Sequence, residues 1–222
     1  MRITFLSKYE YSLQDVNIKN LVNQKYCVFD LEGTGINFGT EHITQIGAVI
    51  LQNGEIKEKF SSLVKSPKRI SPEIEKLTGI SNEDIKNAPA FPEVYKQFLH
   101  FCEGTVLVTQ AGYEYDVPML ENHCQQYGTT LFSNPVIDTK GLFANIHQEY
   151  KDVISTNFLI NYYQVEQKDV PRHNALGDCI LISRIFKCIL EEYEKKNIQD
   201  FFVSEGLAIK RFVIPGIYLD HD

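Results

Sequence analysis

The amino-acid sequence belongs to the α/β class and reads as a single domain with terminal extensions. Three observations carry this. A short, nearly all-apolar run is followed by an Asn-Gly hairpin, the hydrophobic period then switches from two to helical, and further β-branched runs alternate with helical stretches. No internal repeat or low-complexity linker divides the 222 residues, a length that suits one medium domain.

Residues 1–24 are polar and of mixed pattern, and read as an extension or a short peripheral element. Tyr26-Cys-Val-Phe-Asp-Leu is an apolar run ending in an acid, as in a buried central strand. Ile43 to Leu51 meets Glu55 to Val64 across Gln52-Asn53-Gly54, and Asn-Gly supplies the positive φ angles a two-residue hairpin turn needs. From Ser71 the period becomes helical: Ser71 is an N-cap, Pro72 takes the first helical position, and Gly79 closes the helix. Ser81-Asn82-Glu83-Asp84 begins another helix and Pro92 to Cys102 forms a third. Thr105 to Thr109 is a β-branched strand, and Val117 to Tyr127 a helix stopped by Gly128. Val136-Ile137-Asp138 is a short strand leading into a helix over Leu142 to Tyr150. Helices follow at Thr156 to Tyr163 and Asn174 to Lys196, and the run from Ala208 to Pro215 is strand-like. The domain itself is expected over residues 25–196, between extensions at 1–24 and 197–222.

The composition, 43% hydrophobic and 23% charged, is that of a soluble globular protein. No apolar run approaches the ~20 residues of a membrane span, and the first ten residues break their apolar stretch too early for a signal peptide, so a cytoplasmic protein with no membrane partner is expected. Five cysteines, widely spaced and without a C-x-x-C, argue against a disulfide framework and a zinc ribbon. A net charge of −7 argues against broad wrapping of duplex, which relies on many Lys and Arg contacts to phosphate. It leaves room for an enzyme that holds a few nucleotides where bound cations supply the positive charge.

Three groups of residues can carry chemistry. On a strand, positions i and i+2 share a face, so Asp30 and Glu32 project side by side while Leu31 faces away. Two desolvated carboxylates want a cation, and oxygen-only ligands suit Mg²⁺ or Mn²⁺. His173 precedes Asp178 by five residues, which would leave the two far apart around a common helix. It is expected instead in the loop before the helix that Asn174 caps, leaning over whatever Asp178 binds. Asp116 stands at the mouth of a helix that follows a strand, where the helix dipole favours an acid even without function.

Phe29-Asp30-Leu31-Glu32-Gly33-Thr34-Gly35, with Ile43-Thr44-Gln45-Ile46-Gly47, resembles the first motif of the DEDDh exonucleases. That family includes the proofreading epsilon subunit of bacterial DNA polymerase III, oligoribonuclease and RNase T. His173-Asn-Ala-Leu-Gly-Asp178 resembles its third motif, and the resemblance runs from about Lys25 to Tyr193. The second motif departs from the pattern: Gln110-Ala111-Gly112-Tyr113-Glu114-Tyr115-Asp116 lacks the usual His-Asn-Ala before the Phe-Asp pair. Asp116 is taken as its acid, with Tyr115 standing in for the Phe and Glu114 as the fallback.

The resemblance implies a ribonuclease H-like fold, a mixed five-stranded sheet flanked by helices. It implies a 3′→5′ exonuclease that releases nucleoside 5′-monophosphates from a single-stranded DNA or RNA 3′ end, using two ions of Mg²⁺ or Mn²⁺. Asp30 would bridge the ions, Glu32 and Asp178 would complete one site, Asp116 would hold the other, and His173 would be the general base. Thr34 and Gly35 would meet the terminal nucleotide through backbone N–H groups. A catalytically idle binding domain, or an accessory proofreading subunit with a polymerase bound through the terminal extensions, are the rival readings. Asp138 is read as structural, Tyr113 and Phe38 as possible base-stacking or packing residues, and Gln199-Asp200-Phe201-Phe202 as too short for a sliding-clamp peptide.

Overall fold

The structure, a computed structural model, describes residues 1–212. The chain opens with three strands, β1 (Arg2–Ser7), β2 (Glu10–Gln14) and β3 (Val16–Ile18). The central strand β4 (Tyr26–Gly33) pairs antiparallel with β5 (Ile43–Gln52), which pairs antiparallel with β6 (Glu55–Leu63). Asn53 and Gly54 both have positive φ, 53° and 72°, the turn geometry expected of Asn-Gly. Helices α1 (Pro72–Thr78), α2 (Asn82–Lys86) and α3 (Phe91–Phe101) follow. Ser71 caps α1 and Gly79 ends it in the left-handed region; Ser81 and Asp84 form a capping box on α2.

Strand β7 (Val106–Thr109) lies parallel to β4, and β8 (Val136–Asp138) parallel to β7, with α4 (Asp116–Tyr127) between them in sequence. The order β6-β5-β4-β7-β8 makes a mixed five-stranded sheet. Helices α5 (Thr139–Ile146), α6 (Thr156–Tyr163) and α7 (Ala175–Lys195) complete the body. The sequence places α5 three residues late, because Asp138 caps it and its first turn is buried rather than exposed. Alternation along β4 separates two apolar layers. Tyr26 stacks edge-on against Phe186 of α7, whereas Phe29 packs on Phe98 of α3. Asp30 and Glu32 share the Tyr26 face, so they look toward α7.

The two terminal segments fold together. Strand β9 (Phe201–Val203) pairs with β3, and β10 (Leu207–Lys210) adds to β2, giving a small sheet of order β1-β2-β10. Residues 1–24 thus carry three strands, with buried Tyr11, Leu13 and Val16. Phe201 is buried in β9 and is no exposed clamp peptide. The small sheet packs on α5, where a Cβ on Gly141 would meet Leu13 Cδ2 at 2.9 Å. The strand-like run expected from Ala208 ends as β10 at Lys210, and its part beyond residue 212 lies outside the described residues. All five cysteines are free. Among the described residues no helix is long and apolar enough to cross a membrane.

Candidate active site

Two carboxylates come from β4 and a third from α7, and the sequence contains the means of bringing them together. Gly47 pairs with Asp30 and Gln45 with Glu32 across the β4–β5 ladder. A Cβ on Gly47 would lie 2.4 Å from the Ala175 carbonyl carbon, so only glycine lets the start of α7 settle on this strand. Gln45 Oε1 accepts the Ala175 N–H at 3.0 Å and so satisfies one orphan donor of the helix. Asn174 caps the same turn through Gly177 N–H. With α7 docked there, oxygens of Asp30, Glu32 and Asp178 all lie within 4.8 Å of one another.

Asp116 reaches the cluster from the other side. Strand β7 runs parallel to β4, and Thr109 at its end donates to Asp116 Oδ2 at 2.5 Å. Asp116 is the charge that acts most strongly on Asp30. Burial first, then Asp116, Glu32 and Asp178, hold the Asp30 carboxyl well above the usual carboxylate range, with Arg172 pulling the other way. Burial, then Asp178 and Asp116, push Glu32 up to about 8. Asp116 is pushed up to about 7 by burial, against the Thr109 hydrogen bond and the Leu31 N–H. Arg172 compensates only part of the charge of four carboxylates so placed, and an all-oxygen donor set of this kind fits a hard divalent cation.

Glu114, two residues away, has different company. It forms a buried ion pair with Lys140, and its Oε2 accepts the Phe212 N–H at 3.2 Å. The atypical second motif is braced by the end of β8 and the start of α5. Ala111, at φ 59°, donates its N–H to Asp138 Oδ1, Gln110 accepts from Thr139, and Tyr113 Oη donates to the Val136 carbonyl. Tyr113 is therefore buried packing rather than a stacking surface. Asp138 caps α5 and holds the Ala111 turn. Tyr115, in place of the usual Phe, donates its hydroxyl to the Gly35 carbonyl at 3.0 Å and occupies the space a Cβ on Gly33 would fill. The tyrosine ties the second motif to the first.

His173 lies in the loop just before α7, exposed and at φ 56°. Its main-chain N–H donates to Asp178 Oδ2 at 2.7 Å, and Arg172 Nε donates to Asp178 Oδ1 at 2.9 Å. A Cβ on Gly177 would sit 2.1 Å from the Pro171 carbonyl oxygen, so glycine there lets this loop fold back over the helix. The sequence reading missed Arg172, Thr109 and Gln45. Arg172 adjoins His173 and Gln45 lies inside the first motif, whereas nothing in the β-branched run marks the Thr109 hydroxyl. Thr34 stands differently from the expectation: its N–H donates to the His42 carbonyl and its hydroxyl to Glu41, so its backbone donor is already used.

A cleft of about 350 Å³ opens over this centre, lined by Asp30, Glu32, Gly35, Phe38 and Asp116 among others. A larger hollow of about 490 Å³, walled in part by Asn145, Tyr150 and Phe202, lies away from the four carboxylates. Chemistry rather than volume selects the cleft. Among the described residues, Asp30, Glu32 and Asp178 are the one group of three metal-ligating side chains that converge.

Known proteins resemble this chain in both sequence and fold. The RNase_T family model, described as exonuclease, matches residues 27–186. The chain is 32% identical over 194 residues to a protein of Aquifex aeolicus named DNA polymerase III subunit epsilon, covering 87% of this chain and 94% of that one. It is 31% identical over 189 residues to DNA polymerase III PolC-type of Caldanaerobacter subterraneus subsp. tengcongensis, covering 85% of this chain but spanning only 13% of that relative's length. The nuclease domain of 3′hExo, described as a DEDDh family member bound to rAMP, superposes with a TM-score of 0.68 at 21% identity, over 77% of this chain and 93% of that one. Exonuclease X, solved with 5′ overhanging duplex DNA, gives 0.61 at 20% identity, over 76% and 93%. The fold is thus the ribonuclease H-like one of these nucleases, and the chain belongs to the RNase_T exonuclease family.

Proposed function

We propose that the protein removes nucleotides one at a time from the 3′ end of a single strand, releasing nucleoside 5′-monophosphates. The observation that carries this reading is the convergence of Asp30, Glu32 and Asp178, with Asp116 acting on Asp30 from the start of α4. In this reading Asp30, Glu32 and Asp178 would hold one Mg²⁺ or Mn²⁺ ion, and Asp116 would help to hold a second. Such ions lower the pKa of a water and stabilise charge on the attacking and leaving oxygens. His173 takes the proton of the attacking water. Its backbone bond to Asp178 fixes the imidazole's starting point at the edge of the carboxylate cluster. Arg172 steadies Asp178 against the repulsion of its neighbours. Gly35 borders the cleft where a terminal nucleotide would enter, with its carbonyl held by Tyr115.

A time course on 5′-end-labelled single-stranded DNA and RNA of matched sequence tests this. With Mg²⁺ or Mn²⁺ the label should move through a ladder of single-nucleotide steps, and chelator should stop it. His173→Ala should slow turnover by ~10²–10⁴. Efficient cutting of closed circular single strands would sink the exonuclease assignment. A polymerase partner is a second proposal, supported by the names of the relatives above. Failure to co-purify with, or stimulate, the replicative polymerase of its own source would remove it.

A further inference from the structure

The cleft over the carboxylates is closed on one side by residues that belong to neither the family motifs nor the central sheet. Arg211 and Phe212, just after β10, line it together with Asp30, Glu32 and Asp116. Their backbone is fixed there: Arg211 N–H donates to the Tyr9 carbonyl at 2.8 Å, and Phe212 N–H to Glu114 Oε2 at 3.2 Å. The Arg211 guanidinium lies 4.8 Å from the centroid of the Phe5 ring, and it has no carboxylate partner among the described residues. Among the described residues lining the cleft, Arg211 is also the one cation, set against Asp30, Glu32, Glu114 and Asp116. Phe212 is 53% exposed and Phe38, on the loop after β4, is 40% exposed. A large aromatic left in water beside a cation without a carboxylate partner is the pair of groups that single-strand binding uses, a base platform and a phosphate contact.

We propose that Arg211 and Phe212 hold the substrate strand on the 5′ side of its penultimate nucleotide, Arg211 on a backbone phosphate and Phe212 against a base. This rests on the 3′-exonuclease reading of the same cleft. In that reading the strand continues only toward its 5′ end once the terminal nucleotide is seated, so groups at the outer wall meet that part of it. The small sheet built from both termini thereby carries a strand-binding wall to the catalytic centre.

Length dependence tests the proposal. The ratio of kcat/KM for a hexanucleotide to that for a dinucleotide is measured for wild type, Phe212→Ala, Arg211→Gln and, as a control, Lys210→Ala, an exposed residue of the same strand. Loss of one stacked base or one phosphate contact should lower the ratio at least about fivefold for Phe212→Ala and Arg211→Gln, and leave it at the wild-type value for Lys210→Ala. Arg211→Gln keeps a planar end group over Phe5, and Phe212 is largely exposed, so unchanged thermal midpoints should accompany the loss. Unchanged ratios in both variants would overturn the strand-wall proposal while leaving the exonuclease reading intact. A wild type that releases no mononucleotide from either substrate would overturn both.

Discussion

Asp116 and Glu114 are separated by one residue, yet their carboxylates face opposite problems. Asp116 is crowded by other acids and Glu114 is neutralised by Lys140, whose side chain is 1% exposed against 9% for Glu114. Removing each charge should therefore have crossed effects. Asp116→Asn should abolish turnover and leave the thermal midpoint in chelator unchanged or higher. Glu114→Gln should keep most turnover at low temperature but lose roughly 3–5 kcal/mol of stability, because Lys140 stays buried and unpaired. Similar mild effects from both would remove Asp116 from the proposed centre. The raised carboxyl groups also set a pH dependence. Glu32 at about 8 and Asp116 at about 7 lie above the unfolded carboxylate range, which is about 4. The folded protein thus binds more protons than the unfolded chain in between, and stability falls as pH rises through that window. In chelator the midpoint should drop from pH ~5 to ~8, and Mg²⁺ or Mn²⁺ should restore more of it at the upper end than at the lower. A metal-free midpoint that is flat or rises across the window would show that the four acids are not held as close as the structure places them.

Helix α7 supplies the third carboxylate, and its position depends on β5 more than on its own sequence. Its apolar face fits against β4 and β5 only because Gly47 leaves room for the Ala175 backbone. Gly47→Ala should push the helix start away, cost about 1–3 kcal/mol from overpacking, and lower kcat by moving Asp178 and the His173 loop. Denaturant midpoints and turnover measured on the same preparation check this; wild-type turnover with an unchanged midpoint would mean that the contact yields without moving the site. At this scale local chemistry was legible. The Asn53-Gly54 turn, the Ser71 and Ser81 caps, the Gly128 stop and the Asn174 cap each act through neighbours within about four residues. The sequence places the start of α5 late because Asp138 is both the last residue of β8 and the cap of the helix, its carboxylate shared by the Ala111 and Lys140 N–H groups.

For the whole molecule, residues 2–18 and 201–210 make one unit. Strands β1, β2 and β3 bury Tyr11, Leu13, Val16 and Ile18, and they cover Phe201, Ile209 and α5. Each such apolar side chain is worth about 1.5–3 kcal/mol when fully buried. Deleting residues 1–18 should therefore lower the thermal midpoint by more than about 5 °C and deprotect the β10 amides to hydrogen exchange. A truncated protein with the full-length midpoint would show that the terminal sheet is peripheral to stability.

From the sequence alone came the α/β order, the hairpin, most helix limits and the candidate residues Asp30, Glu32, Asp116, His173 and Asp178. Strand alternation, capping and motif spacing are written in residues close together in the chain. Tertiary structure decided what neighbours in space do to one another. It sent Glu114 to Lys140 and Asp116 toward Asp30, engaged the Thr34 N–H with His42, set Arg172 on Asp178, and joined residues 2–18 to 201–210. No local pattern encodes such pairings, because a strand's partner and a buried charge's counter-ion depend on which distant segments the fold packs against them.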